Sequence, residues 1–342
     1  MLEITSGQTI VVDTSAKLRR RDLIQKFAAL GSLIMLVVVF SFTSSAFFSV
    51  ENGMTVALQV TSIVYLGVAA TCVIITGGID LSVGSVLALS GVVAALLVKA
   101  GVPIPVAMFG GVVVGGLCGL VNGLCVTRLG LPPFIATLGM MLVARGLALQ
   151  ITGARPVSGL GDAFGELGNG ALFRISHIGA DGFPDTVFPG IPYPVIIMVV
   201  LAVAVSIMLT RTSLGRHIYA VGSNAEAARL SGVNVRRVTL FTYVLSGVLA
   251  GLTGCVLMSR LVTAQPNEGV MYELDAIASA VIGGTSLMGG VGTISGTAIG
   301  AFVIGVLRNG LNMNGVSSFV QQIIIGLVIL GTVWIDQVRN RR

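Results

Sequence analysis

Few residues in this chain are equipped for chemistry. Asp80, in the stretch TGGIDLSVGS (76–85), is a carboxylate between two apolar runs; Glu273 and Asp275 open a later run, and Arg145 and Arg308 fall inside others. Ionisable groups are rare at membrane depth, where they serve as cation or proton relays, solute contacts or helix-end anchors. Asp80 can cap the helix that follows, accepting N–H groups around Ser82 and Val83, or it can touch a solute; capping is the expected role. Arg145 and Arg308 are expected to snorkel or to pair with helix-end carbonyls, a place on a solute path being the alternative. The two histidines, His177 and His217, fall in different polar segments, and no HExxH or Ser/His/Asp set is present. Cys72, Cys118, Cys125 and Cys255 lie in apolar runs without metal-ligand spacing, so they read as small packing residues and no metal site is expected.

Nucleotide chemistry is also missing. No GxxxxGK[ST] loop occurs, and the three lysines, Lys17, Lys26 and Lys99, follow no glycine-rich turn. The nearest approach to a dinucleotide fingerprint, Gly290-Val291-Gly292, lacks its third glycine and lies in an apolar run. The chain is therefore expected to be no enzyme and to carry no catalytic residue or cofactor of its own. If it transports, the energy comes from an ion gradient or from a partner protein.

What positions these residues is a membrane bundle. Of 342 residues 54% are hydrophobic and 10% charged, with a mean hydropathy of +0.98, against roughly 25% charged in a soluble domain. Apolar runs of about 20 residues, enough for a hydrocarbon core roughly 30 Å thick, recur at 27–46, 54–75, 84–99, 104–127, 132–152, 191–210, 238–260, 272–287, 290–311 and 316–335. The expected fold is all-α, a polytopic bundle of about ten spans. Lys17, Arg19, Arg20 and Arg21 precede the first run without a convincing cleavage site, so it reads as a retained span.

The +6 formal charge is a matter of topology rather than of nucleic-acid binding. With the N-terminus inside, the cytoplasmic segments collect Lys17, Arg19, Arg20, Arg21, Lys26, Arg128, Arg211, Arg216, Arg229, Arg236, Arg237, Arg339, Arg341 and Arg342, fourteen of the twenty basic residues. Lys99, Arg155, Arg174 and Arg260 are left outside. Both termini are thus expected in the cytoplasm. The division is a cytoplasmic segment 1–26, a membrane domain 27–335 and a cytoplasmic tail 336–342. An external segment, 153–190, contains Asp162, Glu166, Asp181 and Asp185, and an arginine-rich cytoplasmic segment covers 211–237.

Glycine supplies the internal punctuation. The chain has 46 glycines, and those at 110, 111, 115, 116, 119 and 123 have the small-residue spacing that lets membrane helices approach closely. VIITGGIDLSVGS (73–85) is echoed by AVIGGTSLMGGVG (280–292), pairing Gly77 and Gly78 with Gly283 and Gly284, and Gly84 with Gly290. A weak repeat of span, Gly-Gly break and span is what internally duplicated transporters leave behind. A helix can be broken at that depth only where its freed backbone meets protein or a water-filled cavity, so Asp80 and Ser82 are expected to face the interior.

In the arginine-rich segment, Gly222-Ser223-Asn224-Ala225-Glu226-Ala227-Ala228-Arg229-Leu230-Ser231-Gly232 predicts a short helix over 226–230. Asn224 or Ser223 would be its N-cap and Gly232 its C-terminal cap, with Glu226 at the positive end of the dipole. A capped helix of this kind is a docking knob.

Glu226-Ala227-Ala228…Gly232 resembles the loop by which bacterial ABC importer permeases engage their ATPase. The blocks TGGIDLSVGS (76–85), LPPFIATLGMMLVARGLAL (131–149), GRHIYAVGSNAEAARLSGVNV (215–235) and AIASAVIGGTSLMGGVGTISGTAIGA (276–301) are together similar to permeases of ribose-type, monosaccharide-specific ABC import systems. The resemblance implies an inner-membrane permease paired with a second copy of itself or with a related permease. It also implies a tandem-domain ATPase that binds ATP and magnesium on the cytoplasmic face, and a periplasmic sugar-binding protein outside. Gly222, Asn224, Glu226, Ala227, Ala228 and Gly232 would couple to the ATPase, while Gly77, Gly78, Asp80, Ser82, Gly283 and Gly284 would shape the translocation core. The alternative is an ion-coupled secondary transporter of small polar solutes, with Asp80, Glu273 and Asp275 as candidate coupling groups.

Overall fold

The computed structural model describes residues 29–178 and 184–340. Lys17, Arg19, Arg20, Arg21 and Lys26 of the N-terminal segment, Asp181, and Arg341 and Arg342 of the tail lie outside the described residues, as do the side chains of His177, Asp185 and Arg339. The chain forms α1 (Ala29–Thr43), α2 (Val50–Ile75), α3 (Val83–Lys99), α4 (Ile104–Thr127), α5 (Pro133–Thr152), α6 (Asp162–Asn169), α7 (Tyr193–Arg211), α8 (Ser213–Ser223), α9 (Ala225–Leu230), α10 (Val235–Leu261), α11 (Tyr272–Ile282), α12 (Ile294–Met313) and α13 (Ser318–Asn340). Among the described residues, six helices are long and apolar enough to cross a membrane: α2, α4, α5, α7, α10 and α12. Shorter apolar helices complete a polytopic α-helical bundle.

Helix α2 is the axis. Every residue from Val60 to Ile75 is buried, so the helix is apolar all round because it is surrounded by protein. Polar side chains fasten it to its neighbours where lipid supplies no hydrophobic drive. The Thr71 and Thr297 hydroxyls lie 2.6 Å apart, the Tyr65 hydroxyl donates to the Pro194 carbonyl at 2.5 Å, and Asn52 and Asn309 exchange amide hydrogen bonds at 3.2 and 3.0 Å.

Helices α4 and α10 pack through glycine. Gly111, Gly115, Gly119 and Gly123, one per turn of α4, are buried, and a Cβ on Gly115 or Gly119 would strike the backbone of α10. Gly110 and Gly116, which share the sequence spacing, face only the side-chain tips of Leu97 and Val248.

Three features differ from the sequence reading. The run at 272–287 is helical only to Ile282, because Gly283 and Gly284 end it, and an irregular segment follows until Ile294. The segment 153–190 contains α6 and a short hairpin of β2 (Ile175–Ile178) with β3 (Pro184–Phe188), nested inside an antiparallel pair of β1 (Ala171–Leu172) with β4 (Ile191–Pro192), which lies just past the segment's end. Its α6 is docked on the end of α10: the Ser259 hydroxyl donates to the Phe164 carbonyl at 2.6 Å and accepts from the Gly168 N–H at 2.8 Å. The segment 211–237 holds α8 as well as the short helix expected there. The missed signal is the apolar spacing of Ile218 and Val221, both buried, behind the Thr212 N-cap.

A Gly247→Leu variant should lose about 1–3 kcal/mol of stability, because its side chain would strike the Gly115 carbonyl and Gly119. The thermal midpoint of the detergent-solubilised protein checks this; an unaltered midpoint would contradict the close α4–α10 approach.

Candidate functional site at the paired helix breaks

The ends of α2 and α11 are capped identically. At the end of α2, Gly77 N–H donates to Ile74 O at 2.8 Å and Gly78 N–H to Val73 O at 3.1 Å, with Gly77 left-handed at φ 81. At the end of α11, Gly284 N–H donates to Val281 O and Thr285 N–H to Ala280 O, both at 2.9 Å, with Gly284 at φ 92. These paired bonds are the Schellman closure, whose left-handed residue is the one that calls for glycine.

The geometry therefore matches Gly77 to Gly284, one residue on from the pairing read in sequence. Gly283 is right-handed and is glycine for another reason: a Cβ there would collide with the backbone of Gly296. Past the closures the two breaks diverge. Gly84 lies inside α3, whereas Gly290 is left-handed at φ 74 in the loop before α12.

Asp80 is 3% exposed and accepts three hydrogen bonds. Its Oδ1 takes the Ser82 N–H at 2.9 Å and the Ser82 hydroxyl at 2.6 Å, and its Oδ2 takes the Ser246 hydroxyl at 2.7 Å. Asn122 Nδ2 in turn donates to the Ser82 Oγ at 2.9 Å. The carboxylate thus holds the extended segment between α2 and α3 to α10 and, through Ser82, to α4. Charge-assisted bonds of this kind are the strong ones. One turn before Ser246, Tyr243 is fully buried with its hydroxyl against Gly78.

The α8–α9 unit stands at the same place. The Thr212 hydroxyl accepts the Gly215 N–H at 3.1 Å to cap α8, and Asn224 Oδ1 accepts the Ala227 N–H at 2.9 Å to cap α9. A third Schellman closure ends α9: Gly232 N–H donates to Arg229 O and Val233 N–H to Ala228 O, both at 3.0 Å, with Gly232 at φ 85. Ala228 is buried at 6%, while Ala227 and Leu230 are exposed, Leu230 at 75%. Glu226 and Arg229 form an exposed ion pair at 2.5 Å. The Arg229 guanidinium holds the Glu226 carboxyl below the usual carboxylate range, so both groups are charged at neutral pH.

Sequence spacing did not show that the base of this knob is clamped into both breaks. Gly222 lies against the Ile75 carbonyl, where a Cβ would collide with it and with the Gly290 amide. That same carbonyl accepts the Gly290 N–H at 2.9 Å, and the Tyr219 hydroxyl donates to Gly292 O at 2.7 Å. One carbonyl at the end of α2 therefore joins the loop after α11 to the C-terminal end of α8.

Arg145, Arg308 and Asp275 are engaged within the protein. Arg145 Nη1 donates to the Pro266 and Glu268 carbonyls at 2.5 and 2.8 Å, in the connection between α10 and α11 rather than at its own helix end. Arg308 makes a bidentate pair with Asp275 at 3.2 Å. The Glu273 carboxylate lies beside Gly84. Among the described residues, no group of three His, Cys, Asp or Glu side chains is placed to hold a metal ion.

Comparison with known proteins places this chain among permeases. The family model described as the branched-chain amino acid transport system permease component matches residues 52–333. The chain is 42% identical to the ribose import permease of Bacillus subtilis (strain 168), covering 92% of this chain and 94% of that protein. It is 44% identical to the ribose import permease of Escherichia coli (strain K12), covering 90% and 92%. The D-allose transport system permease of the same strain is 40% identical, covering 92% and 93%. No solved structure matches the chain.

Replacing Asp80 by Ala strands the Ser82 and Ser246 hydroxyls and should cost about 1–3 kcal/mol for each buried group left unpaired. Asp80→Asn keeps an acceptor oxygen and should lose less. Thermal midpoints of the two variants in detergent check this, and equal losses would contradict the anchoring role.

Proposed function

The chain belongs to the family of branched-chain amino acid-type transport-system permease components, and from this premise we propose that it is the permease subunit of an ABC importer for a neutral monosaccharide. Relatives named for ribose, allose and xylose, the last 35% identical over 93% of this chain, support the substrate class. The observation that carries the mechanism is the clamp of Gly222 against the Ile75 carbonyl beneath the exposed Glu226–Leu230 knob.

In this reading a partner ATPase seats α9 and supplies all nucleotide chemistry; the chain itself carries no cofactor and hydrolyses nothing. Closure of the ATPase pushes α8 and α9 as one lever, because α9 is capped at both ends and α8 is packed into the core by Ile218 and Val221. The lever ends on the two helix breaks, so its movement is delivered to α2 and α11 directly. The positive-inside distribution supports α9 and both termini on the cytoplasmic side of a bacterial inner membrane. The partners are a second permease copy, a tandem-domain ATPase and an external sugar-binding protein. An ion-coupled mechanism draws no support from Asp80, which has three hydrogen-bond donors, or from Asp275, which has a bidentate arginine.

The test is reconstitution in proteoliposomes with the ATPase and the binding protein. Uptake should require ATP; uptake without the ATPase that follows a proton or sodium gradient would overturn the proposal. Glu226→Lys should abolish uptake with membrane insertion intact, as should Gly232→Asp, which places a side chain at a left-handed position. Gly222→Val should uncouple ATP hydrolysis from uptake. Normal sugar-stimulated transport in these variants would contradict the lever.

A further inference from the structure

The bidentate Arg308–Asp275 pair does not serve the lever, yet it lies within apolar helices, where charged groups are costly and their retention signals function. It forms one wall of a cavity of about 350 Å³ between α11, α12 and α13, within the roughly 300–1,000 Å³ of small-molecule sites. The other polar groups on this cavity are Tyr272, Ser318, Gln321 and Gln322, set among aliphatic side chains. Asp275 is 8% exposed and Gln321 6%, and Gln321 Nε2 is engaged by the Val316 carbonyl at 2.8 Å. Ser318 and Gln322 are exposed.

The chemistry of this wall suits one kind of solute. The charges of Arg308 and Asp275 cancel, so an anion or a cation would have to compete with the pair for its partner. A neutral molecule with adjacent hydroxyls does not have to: each hydroxyl both donates and accepts, matching carboxylate, guanidinium, amide and serine groups in turn. The Tyr272 ring and the aliphatic lining offer apolar surface to the C–H faces of a sugar ring.

Position adds a second argument. Helix α11 starts at the cavity, with Tyr272 and Asp275, and ends at Ile282, about 16 Å away at the helical rise. Its far end carries the Gly284 closure and leads into the loop whose Gly290 is held on the Ile75 carbonyl beside Gly222. The short helix therefore joins the cavity to the base of the α8–α9 knob.

We propose that the cavity walled by Asp275, Arg308 and Gln322 is a transit site for a monosaccharide inside the permease, opened and closed through α11. The proposal rests on the monosaccharide-importer reading. The test uses the whole importer in proteoliposomes, with radiolabelled D-ribose, D-xylose and D-allose as probes. The readout is sugar delivered per ATP hydrolysed for each sugar. Gln322→Leu is at an exposed position that folding tolerates; it should lower the ratio for the preferred sugar about tenfold, the factor by which one lost interaction of about 1.4 kcal/mol lowers the sugar's occupancy of the site. Gln322→Glu, which keeps an acceptor oxygen, should recover part of it. The double variant Asp275→Asn with Arg308→Gln should change the order of preference among the three sugars, while Ile323→Ala, which is exposed on α13 away from the cavity, should leave the ratio unchanged. A working importer whose ratio and preference are the same in the Gln322 and double variants would overturn the transit site alone. Uptake of the sugars by the native permease that needs no ATPase and follows a proton or sodium gradient would overturn the importer reading and the transit site with it.

Discussion

Buried in protein, a freed carbonyl finds no water, and this protein answers the one at Ile75 with the amide of a loop more than two hundred residues away. Gly290 N–H lies 2.9 Å from that oxygen, and Gly222 lies close enough to it that a methyl group would not fit. A buried backbone group left unsatisfied costs several kcal/mol, so the stop of α2 at Ile75 depends on the Gly290 amide, and the fit of Gly222 beside it needs a residue without a side chain. The short α11, the extended link into α3 and the seat of α8 all depend on that arrangement.

The constraint explains why glycine recurs at these positions for different reasons. Gly77 and Gly284 supply left-handed closures, whereas Gly222, Gly283 and Gly296 make room for neighbouring backbone. Asp80 completes the frame. It converts an extended, unpaired link into a strut between α10 and α4 by gathering the Ser82 and Ser246 donors. A carboxylate with those partners is a fixture of the bundle, whereas the paired Arg308 and Asp275 border the cavity between α11, α12 and α13.

Outside the frame the logic reverses. The α9 knob is tied down through its backbone caps and the buried Ala228, while Glu226, Ala227, Arg229 and Leu230 face outward. An exposed ion pair adds little to stability because water screens it. These side chains thus contribute little to holding α9 in place, which its caps and Ala228 do.

The sequence by itself determined the membrane bundle, since runs of about 20 apolar residues leave no other fold for the backbone. It also determined α9 and its caps, because Asn224 and Gly232 act on neighbours a few residues away. The existence of two glycine breaks was legible for the same reason. Their register was not: Gly283 and Gly284 look alike in sequence, and only the approach of Gly296 separates a packing glycine from a left-handed one. Helix α8 was hidden because its apolar face, Leu214, Ile218 and Val221, is short and set among Arg216, His217 and other polar or small residues, so it does not stand out until the core is there to cover it. The clamp at Ile75 and the pairing of Arg308 with Asp275 were decided by tertiary structure alone, since each is a contact between segments whose meeting depends on how the helices pack, and no local spacing records that.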